Sequence, residues 1–213
     1  LYDLRGNRTS KTDNAGNVEA YLYDGLGRLT QTTYTGGRIV LWTYDAVGNR
    51  LTQDDAGSVT AYMYNAANQI EYSVSPSGAY TSFYFDANGN MINKIDSSGV
   101  TQYTWDFENR LRQVSSPSGT TTFGYDANGI RVFKESGGIR TDYLIDTVSV
   151  LAEYEAGLKK AAYTLGPRID EIISQSNDQG KFWYMADALG SVTGLTDTAG
   201  HVASTYRYGA WGE

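Results

Sequence analysis

The sequence predicts an all-β protein, a meander of short β-hairpins. Two observations lead to this prediction: one unit recurs about every twenty residues, and each period contains two turn signals. The unit is clearest in YLYDGLGRL at Tyr21–Leu29, where two aromatic residues, one residue apart, lead into an acid and then a glycine. Two turns per period leave two strands of about seven residues each.

The first turn of each period has the strictest chemistry. The position after the second aromatic is always Asp or Asn, whose side chains accept hydrogen bonds from the following backbone in an Asx-turn. Three residues later the sequence has only Gly or Asn, which adopt positive φ at the lowest cost. This pattern predicts a type I turn closed by a bulge. The turn residues are Asp24 and Gly27, Asp45 and Gly48, Asp86 and Gly89, and Asp126 and Gly129, with Asn68 and Asn109 replacing glycine in two further copies.

A calcium loop is the alternative interpretation of these turns, because Asp86–Asn90 reads DANGN. Calcium loops of the EF-hand type need a closing Glu at about the twelfth position, and no Glu occupies it here. Most copies also have an apolar residue where a ligand would be required. We therefore expect neither a metal nor a cofactor at the turns.

The aromatic positions form the second regular feature, which we call the aromatic ladder. Residues two apart lie on one face of a strand, so each repeat presents two rings on the same side. An uninterrupted row favours structural packing, in which rings on adjacent strands stabilise one another, over a platform that stacks sugars or bases. The ladder residues are Tyr21, Tyr23, Trp42, Tyr44, Tyr62, Tyr64, Phe83, Phe85, Tyr103, Trp105, Phe123 and Tyr125.

Composition excludes several classes of function. The net charge of −7 and the pI near 4.7 argue against a nucleic-acid groove. The absence of cysteine excludes disulfides and thiolate metal sites. No apolar run is long enough to span a membrane, and no signal peptide is visible. Because Leu1 starts within a repeat, we expect a fragment of a longer chain.

The residues for catalysis are sparse. The single histidine, His201, lies in a predicted turn, and the acid pair Asp54/Asp55 points to opposite faces of a strand. Asp170, Asp187 and Asp197 are the best candidates for a buried acid, but turn capping accounts for them more simply. We therefore assign no catalytic residue and expect no enzyme activity.

Seven copies of the YD unit, followed by the tail FWYMADALGSVTGLTDTAGHVASTYRYGAWGE, resemble the Rhs/YD-repeat family over Tyr2–Glu213. That family includes bacterial polymorphic toxins, insecticidal toxin complexes and animal teneurins. The resemblance implies a YD-repeat array over residues 1–136 and a core-associated module over residues 137–213. The implied fold is a curved strip of hairpins that forms part of a hollow spiral shell. The motif residues of the module are Asp187, Leu189, Gly190, Ser191 and Asp197.

The resemblance also implies a function: a structural shell that encloses and delivers a C-terminal toxin or cargo domain. It implies a secreted or cell-surface bacterial protein, exported by a dedicated secretion system or as part of a larger chain. Neighbouring repeats of the same chain or a delivery-apparatus protein are further candidate partners. The alternative is an extracellular adhesion module that binds carbohydrate or protein.

Two departures from the family limit what is carried over. The family often has a histidine before the Asp-x-Leu-Gly-Ser segment, whereas this chain has Trp183, Tyr184 and Met185 there. The family's aspartate-dependent self-cleavage motif lies beyond the core module, and this sequence does not reach it. We therefore assign no self-cleavage.

The end of the array gives a last expectation. The period breaks after Val132, and a repeat array needs an atypical terminal unit. We expect Gly166–Asp197 to leave the meander and pack against it as a cap, with Leu189 and Leu195 in apolar contacts. Asp187 would hold a turn by accepting backbone N–H groups, and Trp211–Glu213 would face an enclosed domain.

Overall fold

The computed structural model describes residues 1–13, 15–168, 171–187 and 189–209. Every regular element in these ranges is a β-strand, and each pair of consecutive strands within a unit is antiparallel. The all-β meander predicted from the period is therefore confirmed. The chain divides into two compact units, Leu1–Gln102 and Tyr103–Glu213.

Unit 1 is a meander in which each strand pairs with the next along the chain. Its last strand, β10, runs across the unit boundary at Gln102. The strands are β1 (Ser10–Thr12), β2 (Val18–Tyr23), β3 (Leu29–Tyr34), β4 (Ile39–Tyr44), β5 (Arg50–Asp55), β6 (Ser58–Tyr64), β7 (Ile70–Val74), β8 (Tyr80–Phe85), β9 (Met91–Asp96) and β10 (Gly99–Trp105).

Unit 2 continues with the same connectivity from strand to strand. Its strands are β11 (Leu111–Ser116), β12 (Gly119–Tyr125), β13 (Arg131–Ser136), β14 (Ile139–Asp146), β15 (Ser149–Glu155), β16 (Leu158–Leu165), β17 (Ile172–Asn177), β18 (Gly180–Ala186), β19 (Val192–Thr196) and β20 (Val202–Thr205).

A β-bulge accompanies the acid-opened turns. The register of β2 and β3 shifts between Leu22 and Tyr23, just before the turn that Asp24 opens. Corresponding shifts occur before Tyr44, Tyr64, Phe85 and Tyr125. A type I turn followed by a left-handed residue and a bulge is the hairpin geometry that the Asp and Gly positions predict.

Few side chains are fully buried. The chain exposes 13587 Å², whereas a compact monomer of 23.4 kDa exposes roughly 9,700 Å². The buried apolar residues are Tyr21, Val40 and Trp42 in unit 1, and Ala152 and Leu195 in unit 2. Both faces of the sheet in each unit therefore leave much of their side-chain surface uncovered.

The expected cap is wrong. β17, β18 and β19 occupy the stretch that was expected to leave the meander, and they pair with one another and with β16 in the usual order. Leu189 is 69% exposed and anchors nothing, although Leu195 is buried as expected. The turns at Asp187 and Asp197 repeat the Asp-x-x-Gly chemistry of the array, so the meander continues through them.

The predicted domain boundary at 136/137 falls inside a hairpin. β13 ends at Ser136, Gly137 and Gly138 form the turn at positive φ, and β14 starts at Ile139. Ser136 and Ile139 are register partners, so the strands pair across this point.

Candidate functional site

Each acid-opened turn is held by one carboxylate. In the turn that starts at Asp24, Oδ1 accepts the backbone N–H groups of Leu26 and Arg28, both at 2.9 Å. The backbone N–H of Gly27 donates to the carbonyl oxygen of Asp24 at 3.0 Å. The same carboxylate contacts recur at Asp45, Asp86, Asp126, Asp187 and Asp197. Asp187 thus caps a turn, as expected, and the Asp residues of the core module do the same work as those of the array.

The closing position of each turn has positive φ, as the sequence predicts. The glycines are Gly27, Gly48, Gly89 and Gly129, and the asparagines that replace glycine, Asn68 and Asn109, have φ of 59° and 60°. In the core module, Gly190 has φ of 87°. The conformation explains why these positions hold only Gly or Asn.

We expect Gly48→Val to lower the free energy of unfolding by about 1–2 kcal/mol or more. At φ of 102° a β-branched residue is strained, and no heavy atom lies within 4 Å of the added Cβ, so the cost belongs to the backbone alone. Urea unfolding followed by circular dichroism measures it. Gly48→Asn is the matched control and should cost much less; equal losses for the two variants would contradict the turn geometry.

Neighbouring turns are joined by side chains. Arg28 pairs with Asp24 at 2.6 Å and also donates from Nη1 to the carbonyl oxygen of Asp45 in the next repeat at 2.8 Å. Arg5 reaches the carbonyl oxygen of Gly25 at 2.9 Å in the same way. Because these bonds connect one repeat to the next, they align the turns along one edge of unit 1.

A tyrosine hydroxyl also joins neighbouring repeats, close to the strand ends beside the acid-opened turns. Tyr44 donates its hydroxyl to the carbonyl oxygen of Leu29 at 2.6 Å, and Tyr23 donates to that of Arg8 at 2.9 Å. Tyr125 and Tyr208 make the equivalent bonds to Leu111 and Val192 in unit 2. In each case the acceptor lies five residues after the acid of the preceding turn, so the second aromatic position favours Tyr for its hydroxyl as well as its ring.

Burial raises the pKa of Tyr23 and of Tyr44, so both phenols stay protonated and donate. We expect Tyr44→Phe to cost about 0.5–1.5 kcal/mol in the free energy of unfolding, because the half-buried carbonyl of Leu29 loses its donor. Chemical denaturation measures the loss. Tyr84→Phe is the control, because Tyr84 lies at an exposed position of β8, and it should cost less. Equal losses of unfolding free energy in the two variants would contradict the role of the Tyr44 hydroxyl.

The ladder rings lie on one face of the unit 1 sheet, which we call the ring face. Tyr21 is the register partner of Thr32, which in turn pairs with Val40, two residues before Trp42. Cross-strand partners share a face. The strands that carry the ladder are not adjacent, however, because each period contributes two strands. The prediction that rings lie next to one another on adjacent strands is therefore wrong. The strands between them bring Thr32, Gln53, Ser73 and Lys94 against the rings.

Arginines contact the rings in place of other rings. The guanidinium carbon of Arg28 lies 4.8 Å from the ring centroid of Tyr44, and that of Arg50 lies 4.5 Å from Tyr62. In unit 2, Arg110 lies over Tyr125 at 5.3 Å. A cation over an aromatic face is attracted by the ring quadrupole, so these arginines both cover the rings and interact favourably with them.

Ladder rings are buried or half-buried throughout. Tyr21 and Trp42 are buried, and the other ten ladder residues are half-buried, whereas the residues between the paired rings, such as Leu22 and Met63, are exposed. A sugar-stacking platform requires an exposed cluster of rings, so this burial favours the packing interpretation. Phe83 is only half-buried, and its truncation should therefore cost less than that of a fully buried ring.

The opposite side of the unit 1 sheet, which we call the second face, exposes its large side chains instead of burying them. Register partners place the residues between the ladder rings on it, together with alternate residues of the intervening strands. Large apolar side chains are exposed there. They are Val18, Leu22, Ile39, Leu41, Val59, Met63, Tyr80, Tyr84, Ile95 and Val100.

The acids considered for chemistry are engaged in structure. Asp55 pairs with Arg38, and Asp54 accepts the backbone N–H of Gly57 at 2.7 Å. His201 is highly exposed and lies 3.3 Å from Asp197. Asp170 and Trp211–Glu213 lie outside the described residues. Among the residues that are described, no cluster of three acidic or histidine side chains is arranged to hold a metal ion.

Hydrogen bonds hold the pKa of several turn aspartates below the ordinary value. The backbone N–H of Arg28 has this effect on the pKa of Asp24, the side chain of Asn90 on that of Asp86, and the backbone N–H of His201 on that of Asp197. A carboxyl whose pKa is lower in the folded state stabilises the fold above its unfolded pKa.

We therefore expect the urea midpoint to fall as the pH drops below about 4, where these aspartates begin to protonate in the unfolded chain. The midpoint measured against pH tests this. Asp24→Asn keeps an Oδ1 acceptor, as Asn65 does naturally, and should weaken the pH dependence. An unchanged slope in that variant would contradict the assignment.

Comparison with known proteins decides the family. The family model "Teneurin YD-shell" matches residues 2–213. The chain belongs to the Teneurin YD-shell family. In this YD-shell chain, the tyrosine hydrogen bonds and the capped turns recur from one repeat to another. No helix in the described ranges has the length and apolarity to cross a membrane.

Relatives of this YD-shell chain are much longer. The tRNA3(Ser)-specific nuclease WapA of Bacillus spizizenii is 33% identical over 94 residues, which are 43% of this chain and 4% of that protein. The Photorhabdus luminescens Tc holotoxin pore carrying the mutation TccC3-D651A matches 92% of this chain and 13% of its own, with a TM-score of 0.59 and 17% identity. TcdB2-TccC3 without its hypervariable C-terminal region matches 100% of this chain and 18% of its own, with a TM-score of 0.50 and 13% identity. At these identities the two structures show the fold alone.

Proposed function

We propose that this chain is a segment of a shell that encloses a toxin or cargo domain and delivers it. The single observation that supports the proposal most is the match of the YD-shell family model to residues 2–213. One of the two similar structures is a Tc holotoxin pore, which agrees with a cargo of that kind. The chain covers only a small share of these relatives, so the enclosure is a property proposed for the longer assembly.

The construction of the repeat supports a wall rather than a reactive site. Carboxylates that could act as acids or bases instead accept backbone N–H groups, as Asp187 and Asp197 do at 2.9–3.0 Å. Bonds such as that from Tyr44 to Leu29 tie each repeat to its neighbour, which a continuous wall requires. We propose that these residues provide structure and no catalysis, in an exported protein.

Limited proteolysis of the full-length native protein tests enclosure. We expect a segment outside residues 1–213 to resist a protease that digests the same segment when it is isolated. Urea above the unfolding midpoint of the shell should abolish the protection. Gly48→Val should lower the urea concentration at which protection is lost. Cleavage of the segment at the same rate in the native protein and in isolation would disprove enclosure.

A further inference from the structure

The second face of unit 1 is almost free of charge. Among the described strand residues that register places on it, Asp54 is the one charged side chain, and its Oδ1 is already bonded to the backbone N–H of Gly57. The ring face of the same sheet, in contrast, carries Glu19, Arg50, Asp55 and Lys94. Depletion of charge at an exposed apolar surface distinguishes the centre of a protein interface from ordinary surface.

The corresponding face of unit 2 does not share this character. There the strands β13 and β14 place Glu135 opposite Arg140, and Asp142 opposite Phe133. Lys181 lies over the exposed ring of Trp183, with its Nζ 4.3 Å from the ring centroid. The apolar surface with little charge is therefore a feature of unit 1 and is not a general consequence of the repeat.

We propose that the second face of unit 1 is the contact surface of a homodimer, in which it packs on the same face of a second copy. The eight strands β2–β9, spaced about 4.8 Å apart and about 20 Å long, present roughly 750–800 Å² on this side. A stable interface of standard size buries about 800 Å² on each partner. Two sheets packed face to face at about 10 Å would cover the exposed apolar side chains and form the core that one sheet lacks.

The chemistry of the face favours a second copy over a charged partner. Each chain carries a net charge of −7, and two copies can meet only through a surface that brings no like charges together. The second face comes close to this condition, because Asp54 is the one charged side chain that register places on it. Large and small side chains also alternate along part of it, since Ser82 lies between Tyr72 on one neighbouring strand and Ile95 on the other. This relief lets two copies of one surface interdigitate.

Sedimentation velocity of the 213-residue chain over a range of concentrations tests the dimer. We expect a reversible monomer–dimer equilibrium. The double variant Leu41→Lys/Met63→Lys places two charges on the second face and should raise the dimer dissociation constant about a hundredfold or more. Val47→Lys adds one lysine at an exposed turn residue outside the second face and is the control, which should leave the dissociation constant unchanged.

Because the chain has no cysteine, a single introduced cysteine can report which face lies in the dimer contact. A single Met63→Cys substitution should form an intermolecular disulfide on mild oxidation, whereas Thr101→Cys, whose register partner Lys94 lies on the ring face, should not. A monomer at every concentration, a dimer equally sensitive to Val47→Lys, or a continuous series of larger aggregates would each overturn the proposal. The protease experiment on the full-length protein has an independent outcome, so enclosure of cargo can stand if the dimer fails.

Discussion

Trp42→Ala is expected to lower the free energy of unfolding by about 3–5 kcal/mol, the largest loss among single substitutions in the ring face. Trp42 is 3% exposed, and its strand β4 lies between β3 and β5. The loss combines the transfer energy of the indole with the cavity that remains, in a sheet that has few other buried side chains.

Urea unfolding followed by circular dichroism gives the value for Trp42→Ala, since the secondary-structure signal does not depend on the deleted indole. Phe83→Ala occupies the equivalent first ladder position in another repeat but starts from a half-buried ring, so we expect a smaller loss. Equal, small losses for the two variants would show that the ladder contributes little to stability and would revive the binding-platform alternative.

Gly124→Ala is expected to cost about 1–3 kcal/mol, because the added methyl group overlaps the ring of Phe133 on the adjacent strand. Gly124 and Phe133 are register partners, and the phenyl ring covers the glycine backbone. The guanidinium carbon of Arg140 lies 3.8 Å from the centroid of the same ring. Any shift of the ring to accommodate the methyl group would therefore change this cation–π contact.

A double variant distinguishes steric overlap with the Phe133 ring from a conformational preference of the backbone at Gly124. Gly124→Ala/Phe133→Ala removes the ring that the methyl group meets, so the two losses should be less than additive. Thermal and urea unfolding of the four proteins in the cycle measure the coupling. Strict additivity would mean that the ring and the glycine do not interact, and that Gly124 has another role.

The turns were predictable because each one is local. The Asp and Gly positions of a single repeat determine the Asx contacts, the positive φ and the bulge, and the structure reproduces all three at Asp24 and Gly27. The cap was mispredicted although the signal was present. Asp187 and Gly190 have the same spacing as Asp24 and Gly27, and that spacing continues the meander.

The contacts between repeats were harder to predict from the sequence than the turns. Tyr44 donates to a backbone carbonyl, and any residue at position 29 provides that acceptor, so no side-chain pattern reveals the bond. Each period contains two turns and therefore two strands. The ladder strands can be placed correctly in the sheet only when both turns are counted. The charge depletion of the second face becomes visible only when the register assigns each residue to one side.

In the described strands, pairing between neighbours along the chain has a kinetic consequence. Contacts of short sequence separation need little loop closure, and proteins that are rich in them fold fast for their size. Each hairpin of this meander can close within microseconds and then provide an edge for the next strand. During synthesis the ribosome releases the chain from its N-terminus, so β2 can pair with β3 before β19 exists. Such a protein grows by templated addition of strands, and its leading edge is always the strand made last.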